Sequence, residues 1–134
     1  MRLKDKIKEI EGYLADLSDI MPKNFEEYNE TRTKFACERL FEIIIEAIVD
    51  LAFFIIKEKE LKIPEEDKEA FDILSKEKII SQELAERFKD AKGMRNIIAH
   101  EYGKINDEIV FHAIAEDIER DVKGFINSVK NKVK

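Results

Sequence analysis

The sequence predicts an all-α protein, a four- to five-helix up-and-down bundle built round a long buried second helix. Three observations carry this. Apolar residues recur at spacings of three and four over most of the chain, the period of a helical stripe. Only four glycines and two prolines interrupt 134 residues, of which 40% are charged, and such a balance favours long solvated helices over a turn-rich all-β fold. No stretch alternates apolar and polar residues for the length of a strand, and no repeat or low-complexity tract is present.

Taken in order, Leu3, Ile7, Ile10, Leu14 and Leu17 mark the stripe of the first helix. Met21-Pro22-Lys23 breaks it, and Asn24 followed by Glu27 reads as a capping box that opens the second. That helix is expected from Phe25 to about Lys59, a span free of Gly and Pro. From Leu40 to Ile56 it is apolar nearly all round, which predicts burial on more than one side. Glu42, Glu46 and Asp50 interrupt this run, and it is short for a bilayer. A third helix is expected over about Pro64 to Leu74, with proline in its first turn and acids that suit a helix N-terminus. Ser81 is the expected N-cap of the fourth, whose stripe runs Leu84, Ala85, Phe88, Ala91 or Lys92, Arg95, Ile98 and Ala99. Gly93 inside that helix costs about 1 kcal/mol relative to alanine, which predicts the close approach of another backbone, such as that of a second protomer. Tyr102-Gly103-Lys104-Ile105 reads as a turn. Asn106 or Asp107 then caps a last helix through Val129, followed by a solvated basic tail.

The length suits a single domain over 1–134 with a real core. A net charge of −6 excludes a protein that grips nucleic acid across its whole surface, so any RNA contact has to be local. The single Cys37 excludes an intrachain disulfide and lacks metal-ligand company; it reads as a core residue. The first residues are amphipathic and carry an acid, with no apolar segment of a signal peptide behind them. A cytoplasmic protein is expected.

The chemistry concentrates in Gly93-Met94-Arg95-Asn96-Ile97-Ile98-Ala99-His100-Glu101-Tyr102-Gly103. At about 100° per residue, Arg95 and Tyr102 fall on nearly one face of a helix, roughly 10 Å apart, while His100 lies roughly 140° round from Arg95. One ideal helix therefore cannot aim all three at one atom. Either the helix ends near Ala99 or His100, with Gly103 as a left-handed stop, or a second copy of the chain completes the site. On the second helix Arg32, Arg39, Glu46 and Asp50, spaced seven, seven and four, line up within roughly 40°. Such a stripe is either a solvated edge with internal ion pairs or the lining of a wet cleft, because buried charges must be paired. In the cleft reading, Arg39 or Arg32 touches phosphate and Glu46 or Asp50 orients a motif side chain. His112 reads as an ordinary helix residue.

The phrase Met94-Arg95-Asn96-Ile97-Ile98-Ala99-His100-Glu101-Tyr102 resembles the signature of the HEPN superfamily, most closely its HepT-like branch. The resemblance extends to the lysine- and glutamate-rich first helix, the second helix with Arg39, Glu46 and Asp50, the phrase Glu69-Ala70-Phe71-Asp72-Ile73-Leu74, and Glu83-Leu84-Ala85-Glu86-Arg87. Arg95, Asn96, His100 and Tyr102 all match the family pattern. What the resemblance implies is the toxin ribonuclease of a toxin–antitoxin pair whose partner is a minimal nucleotidyltransferase. It also implies Tyr102 as the acceptor of AMP from that partner, which would place bulk and negative charge at the mouth of the cleft.

The residue types agree with that chemistry. The sequence holds no Cys/His cluster, no H-E-x-x-H, no glycine-rich phosphate loop and no serine elbow. A catalyst working without a cofactor or a tightly held metal is therefore expected. RNA permits this, since its own 2′-hydroxyl can attack the adjacent phosphate, given a base, an acid and positive charge on the transition state. A histidine can fill either proton role near neutral pH, and an arginine fork suits phosphate oxygens. One motif histidine cannot fill both roles at once, so a homodimer with two Arg95/His100 pairs in one cleft is expected. The alternative from a different class is a non-catalytic accessory subunit that holds a nucleotide or substrate for a partner transferase, with Arg95 and His100 as anion ligands.

Overall fold

A computed structural model of the chain describes residues 2–100 and 105–133. Among these every regular element is helical: α1 (Leu3–Ile20), α2 (Phe25–Tyr28), α3 (Thr31–Glu58), α4 (Asp67–Lys76), α5 (Gln82–His100), α6 (Asp107–His112) and α7 (Ile118–Lys132), with a π-helical turn at Ala113–Asp117 that joins α6 to α7 without a break. The all-α bundle is as expected, and its departures from the expected layout have local causes.

The spine is α3, whose 28 residues span about 42 Å at 1.5 Å per residue. It packs against α1, α4 and α5 and buries Phe41, Ile44, Ile45, Ile48, Val49, Leu51, Ala52, Ile55 and Ile56, which is the burial on several sides that its apolar run predicts. The spine is not continuous with Phe25, however. Asn24 Oδ1 accepts from the Glu27 amide at 2.9 Å, and the resulting turn ends after Tyr28. Tyr28 is fully buried against Phe111, with ring centroids 5.1 Å apart, and against Phe25 at 6.2 Å. Glu30 then turns extended before α3 starts. Aromatic packing rather than a breaker residue makes this break.

The ends of α3 and α4 also lack the usual glycine. Glu60 and Lys78 adopt φ of 56° and 62°, and the closing hydrogen bonds run from the Leu61 amide to the Ile56 carbonyl and from the Ile79 amide to the Leu74 carbonyl, both 2.9 Å. This is the glycine-type stop made by residues with a side chain. Pro64 lies buried ahead of α4 rather than inside it, because Glu66 is extended and serves as the N-cap. Ser81 caps α5 as expected, its hydroxyl accepting from the Leu84 amide at 3.0 Å. Asn106 caps α6 through the amides of Glu108 and Ile109.

The π turn answers a spacing in the sequence. Val110, Ile114, Ile118, Val122 and Ile126 are all buried and all four apart, and each step of four overruns a full turn by about 40°. One wide turn takes up the surplus and keeps the stripe on the core. The Lys130–Lys132 end, expected to be frayed, continues α7, and Val133 is buried. At the heart of the bundle Phe71 of α4, Phe88 of α5 and Phe125 of α7 meet with centroids 5.4–6.3 Å apart. Cys37 is free and buried, and burial above all, with Glu38 adding to it, pushes its thiol up to about 11. No helix among the described residues is long and apolar enough to cross a membrane.

Candidate functional site at the α3–α4–α5 junction

The fourth expected helix carries the motif through His100 without interruption. Two faces of α5 are therefore in use: Arg95 points toward α3, and His100, roughly 140° round, is exposed. Tyr102, Gly103 and the expected turn at 102–104 lie outside the described residues.

Arg95 is held from across the bundle. Its Nε lies 2.9 Å from Glu46 Oε1 on α3, and its side chain is 21% exposed. The Nε–H is buried and not aligned for a hydrogen bond, so the contact is one of charge. The same Glu46 oxygen accepts from Lys92 Nζ at 2.6 Å, and Lys92 reaches Asp67 Oδ2 on α4 at 3.1 Å. Three helices are thus tied at one ammonium. Sequence reasoning missed Lys92 and Asp67, although one signal was there: a lysine on the core stripe of α5, one turn before Arg95. Asn96 and Lys92 line a cleft beside the start of α4, together with Glu66, Asp67 and Lys68.

Within the described part of the chain, no other backbone makes the approach expected at Gly93. A Cβ built there would meet Lys68 Nζ at 3.3 Å and Lys68 Cε at 3.9 Å, with no backbone atom among its neighbours. Among the described residues it is the lysine tip, not another backbone, that occupies the space.

The rest of the α3 stripe does not converge on Arg95. Arg39 is 70% exposed and pairs with Glu42 at 3.3 Å. Arg32 is exposed at the start of α3. Asp50 is an exposed residue toward α1, yet lost solvation still raises its carboxyl, opposed by Lys6 and reinforced by Glu46, Asp67 and Glu9. Of the four, only Glu46 meets a described residue of the motif. His112 pairs with Glu116 one turn on, at 3.3 Å, as an ordinary surface residue does.

A buried carboxylate lies about two turns closer than Glu46 to the start of α3. Glu38 is 4% exposed and its Oε2 has no hydrogen-bond partner. Burial raises its carboxyl, with Lys34 pulling it down and Asp107 and Glu42 pushing it up. The Lys34 ammonium is itself engaged by Asp107 at 3.3 Å.

Fold and site together define an all-helical bundle that presents an R-x-x-x-x-H motif on one helix, its arginine steadied by an acid on the longest one. The model of the family described as ribonuclease HepT-like matches residues 5–129. The chain belongs to that family.

Among relatives, the mRNA nuclease HepT of Shewanella oneidensis is 34% identical over 85 residues, 63% of this chain and 63% of that protein. The tRNA nuclease HepT of Aphanizomenon flos-aquae is 28% identical over 114 residues, 84% of this chain and 78% of the relative. Against the first of these the chain spans just under two thirds of the relative's length. Among solved structures, a tri-AMPylated HEPN toxin of Shewanella oneidensis in complex with an MNT antitoxin superposes with a TM-score of 0.90 at 25% identity, covering 98% of this chain and 100% of that one.

Proposed function

We propose that this chain is the toxin of a type II toxin–antitoxin system and acts as a metal-independent endoribonuclease. The observation that carries the reading is the pairing of Arg95 with Glu46, which steadies a guanidinium on the helix that also presents an exposed His100, in a chain of the HepT-like family. Arg95 binds the phosphate and stabilises charge on the transition state. His100 moves the proton. The ribose 2′-oxygen loses its proton to a base and bonds to phosphorus, the bond from phosphorus to the 5′-oxygen breaks, and that oxygen takes a proton from an acid. The products are a 2′,3′-cyclic phosphate and a free 5′-hydroxyl.

Base and acid come from two copies of His100 in a homodimer, since one histidine cannot fill both proton roles at once. Glu46 orients Arg95. Asn96 supports the cleft, Arg39 and Arg32 extend the basic track for RNA, and Asp50 completes the acidic side of the stripe. The partner is a minimal nucleotidyltransferase, and Tyr102 accepts AMP from it. The AMPylated state of the similar Shewanella toxin supports that role. The protein works in the cytoplasm as one domain over 1–134.

The test is RNA cleavage in EDTA by the parent, Arg95→Ala and His100→Ala proteins. The parent yields cyclic phosphate ends and the two variants lose activity. A His100→Ala protein that is folded by circular dichroism and cuts at the parent rate defeats the reading. A parent that binds nucleotide but cuts no RNA instead supports the accessory-subunit alternative.

A further inference from the structure

Lys92 occupies a core position of α5 with its side chain 7% exposed, between carboxylates from two other helices. A buried ammonium has to be paired, and Glu46 at 2.6 Å would satisfy that alone. Asp67 at 3.1 Å adds a second tether. The arrangement around Glu46 Oε1 shows what this achieves. Lys92 holds the aligned hydrogen bond to that oxygen, whereas the Arg95 Nε–H lies near it without alignment. A carboxylate facing a lone arginine tends to close on it with two parallel hydrogen bonds. That mode would occupy the same donors that a phosphate needs. Among the described residues no second carboxylate pairs with Arg95.

We propose that Lys92, tethered by Asp67, is a positioning residue: it fixes Glu46 so that the acid steadies Arg95 from its Nε side and leaves the guanidinium available to an anion. This rests on the ribonuclease reading, in which Arg95 binds the scissile phosphate. Without the Lys92 charge, Glu46 turns and forks with Arg95. The guanidinium is then sequestered although both motif residues are still present. Removing the charge of Glu46 as well frees it again.

The experiment uses the full chain as parent, Lys92→Met, and Lys92→Met/Glu46→Gln. Nitrogen-15 NMR of the Arg95 side chain in the free protein reads the geometry, and steady-state RNA cleavage reads the consequence. In Lys92→Met the Arg95 Nε–H and Nη–H signals move and exchange more slowly, KM for RNA rises about tenfold and kcat changes less. The double variant recovers part of that loss, short of the parent because Glu46 no longer steadies Arg95, which a merely structural role of Lys92 would not allow. Asp67→Asn, at a half-exposed position, gives a smaller effect in the same direction and serves if Lys92→Met does not fold. Arg95 signals that coincide with the parent's in Lys92→Met or, where that protein fails to fold, in Asp67→Asn overturn the proposal. So does a loss that Glu46→Gln fails to recover. A parent that cuts no RNA defeats the ribonuclease reading alone, and the NMR comparison still decides the positioning role.

Discussion

The first half of α5 sinks Leu84, Ala85 and Phe88 into the core, with Phe88 stacked on Phe71 and edge-on to Phe125. The second half of the same helix buries Ile98 and adds a tie across the bundle, Lys92 and Arg95 meeting one oxygen of Glu46. Apolar packing is non-directional and scales with area. The ion contacts are directional and depend on which partner claims which lone pair. Substitutions of the buried rings should therefore register in stability, and those of the ionic motif residues in activity.

The largest effect that would test this division is Phe88→Ala. Removing a fully buried ring from a three-ring cluster costs about 3–5 kcal/mol, read as a fall in the urea midpoint, with cleavage per folded molecule unchanged. Next is His100→Ala, expected to lose about 100-fold or more in RNA cleavage while melting with the parent, since His100 is exposed. A large drop in melting temperature there would erase the contrast.

Glu38 sharpens the comparison from the α3 side. Its raised carboxyl means that the folded chain keeps this proton to higher pH than the unfolded chain does. Stability is therefore lost as pH climbs from the ordinary carboxylate range through the raised value. Glu38→Gln should melt with the parent at acidic pH and above it at neutral pH, by about 1 kcal/mol, in a series of thermal melts. The smallest effect belongs to Gly93→Ala. Alanine gains up to about 1 kcal/mol of helix propensity and asks only that the flexible Lys68 tip give way from 3.3 Å. A slight rise in melting temperature is expected, and a fall would mean that Lys68 cannot move.

Most of the fold was legible because the periodicity of three and four is written into each long helix, and the caps at Asn24, Ser81 and Asn106 carry side chains that can be recognised on sight. The helix ends at Glu60 and Lys78 were not, since residues in a left-handed stop normally announce themselves as glycine. Nor was the break after Tyr28, which rests on contact with Phe111, more than eighty positions away. At the site, Arg95 and His100 stood out through their spacing, and Glu46 through its place on a charged stripe. Asp67 did not, because pairing across three helices leaves no local pattern, and Lys92 showed only as a lysine on a core stripe. Arg39 and Arg32 fit the stripe by angle, but lie about two and four turns along α3 from Glu46.

The wide turn at Ala113–Asp117 makes the protein forgiving about length at one address. A hydrogen bond that skips five residues instead of four stores one surplus residue, and the flanking segments keep their phase as though it were missing. Deleting the exposed Ala115 should let the stretch from 107 to 132 close into an unbroken α-helix with the same faces inward. A shortened chain that keeps its helical circular dichroism and melts near the parent would mark where the gene can gain or lose a codon without disturbing the fold.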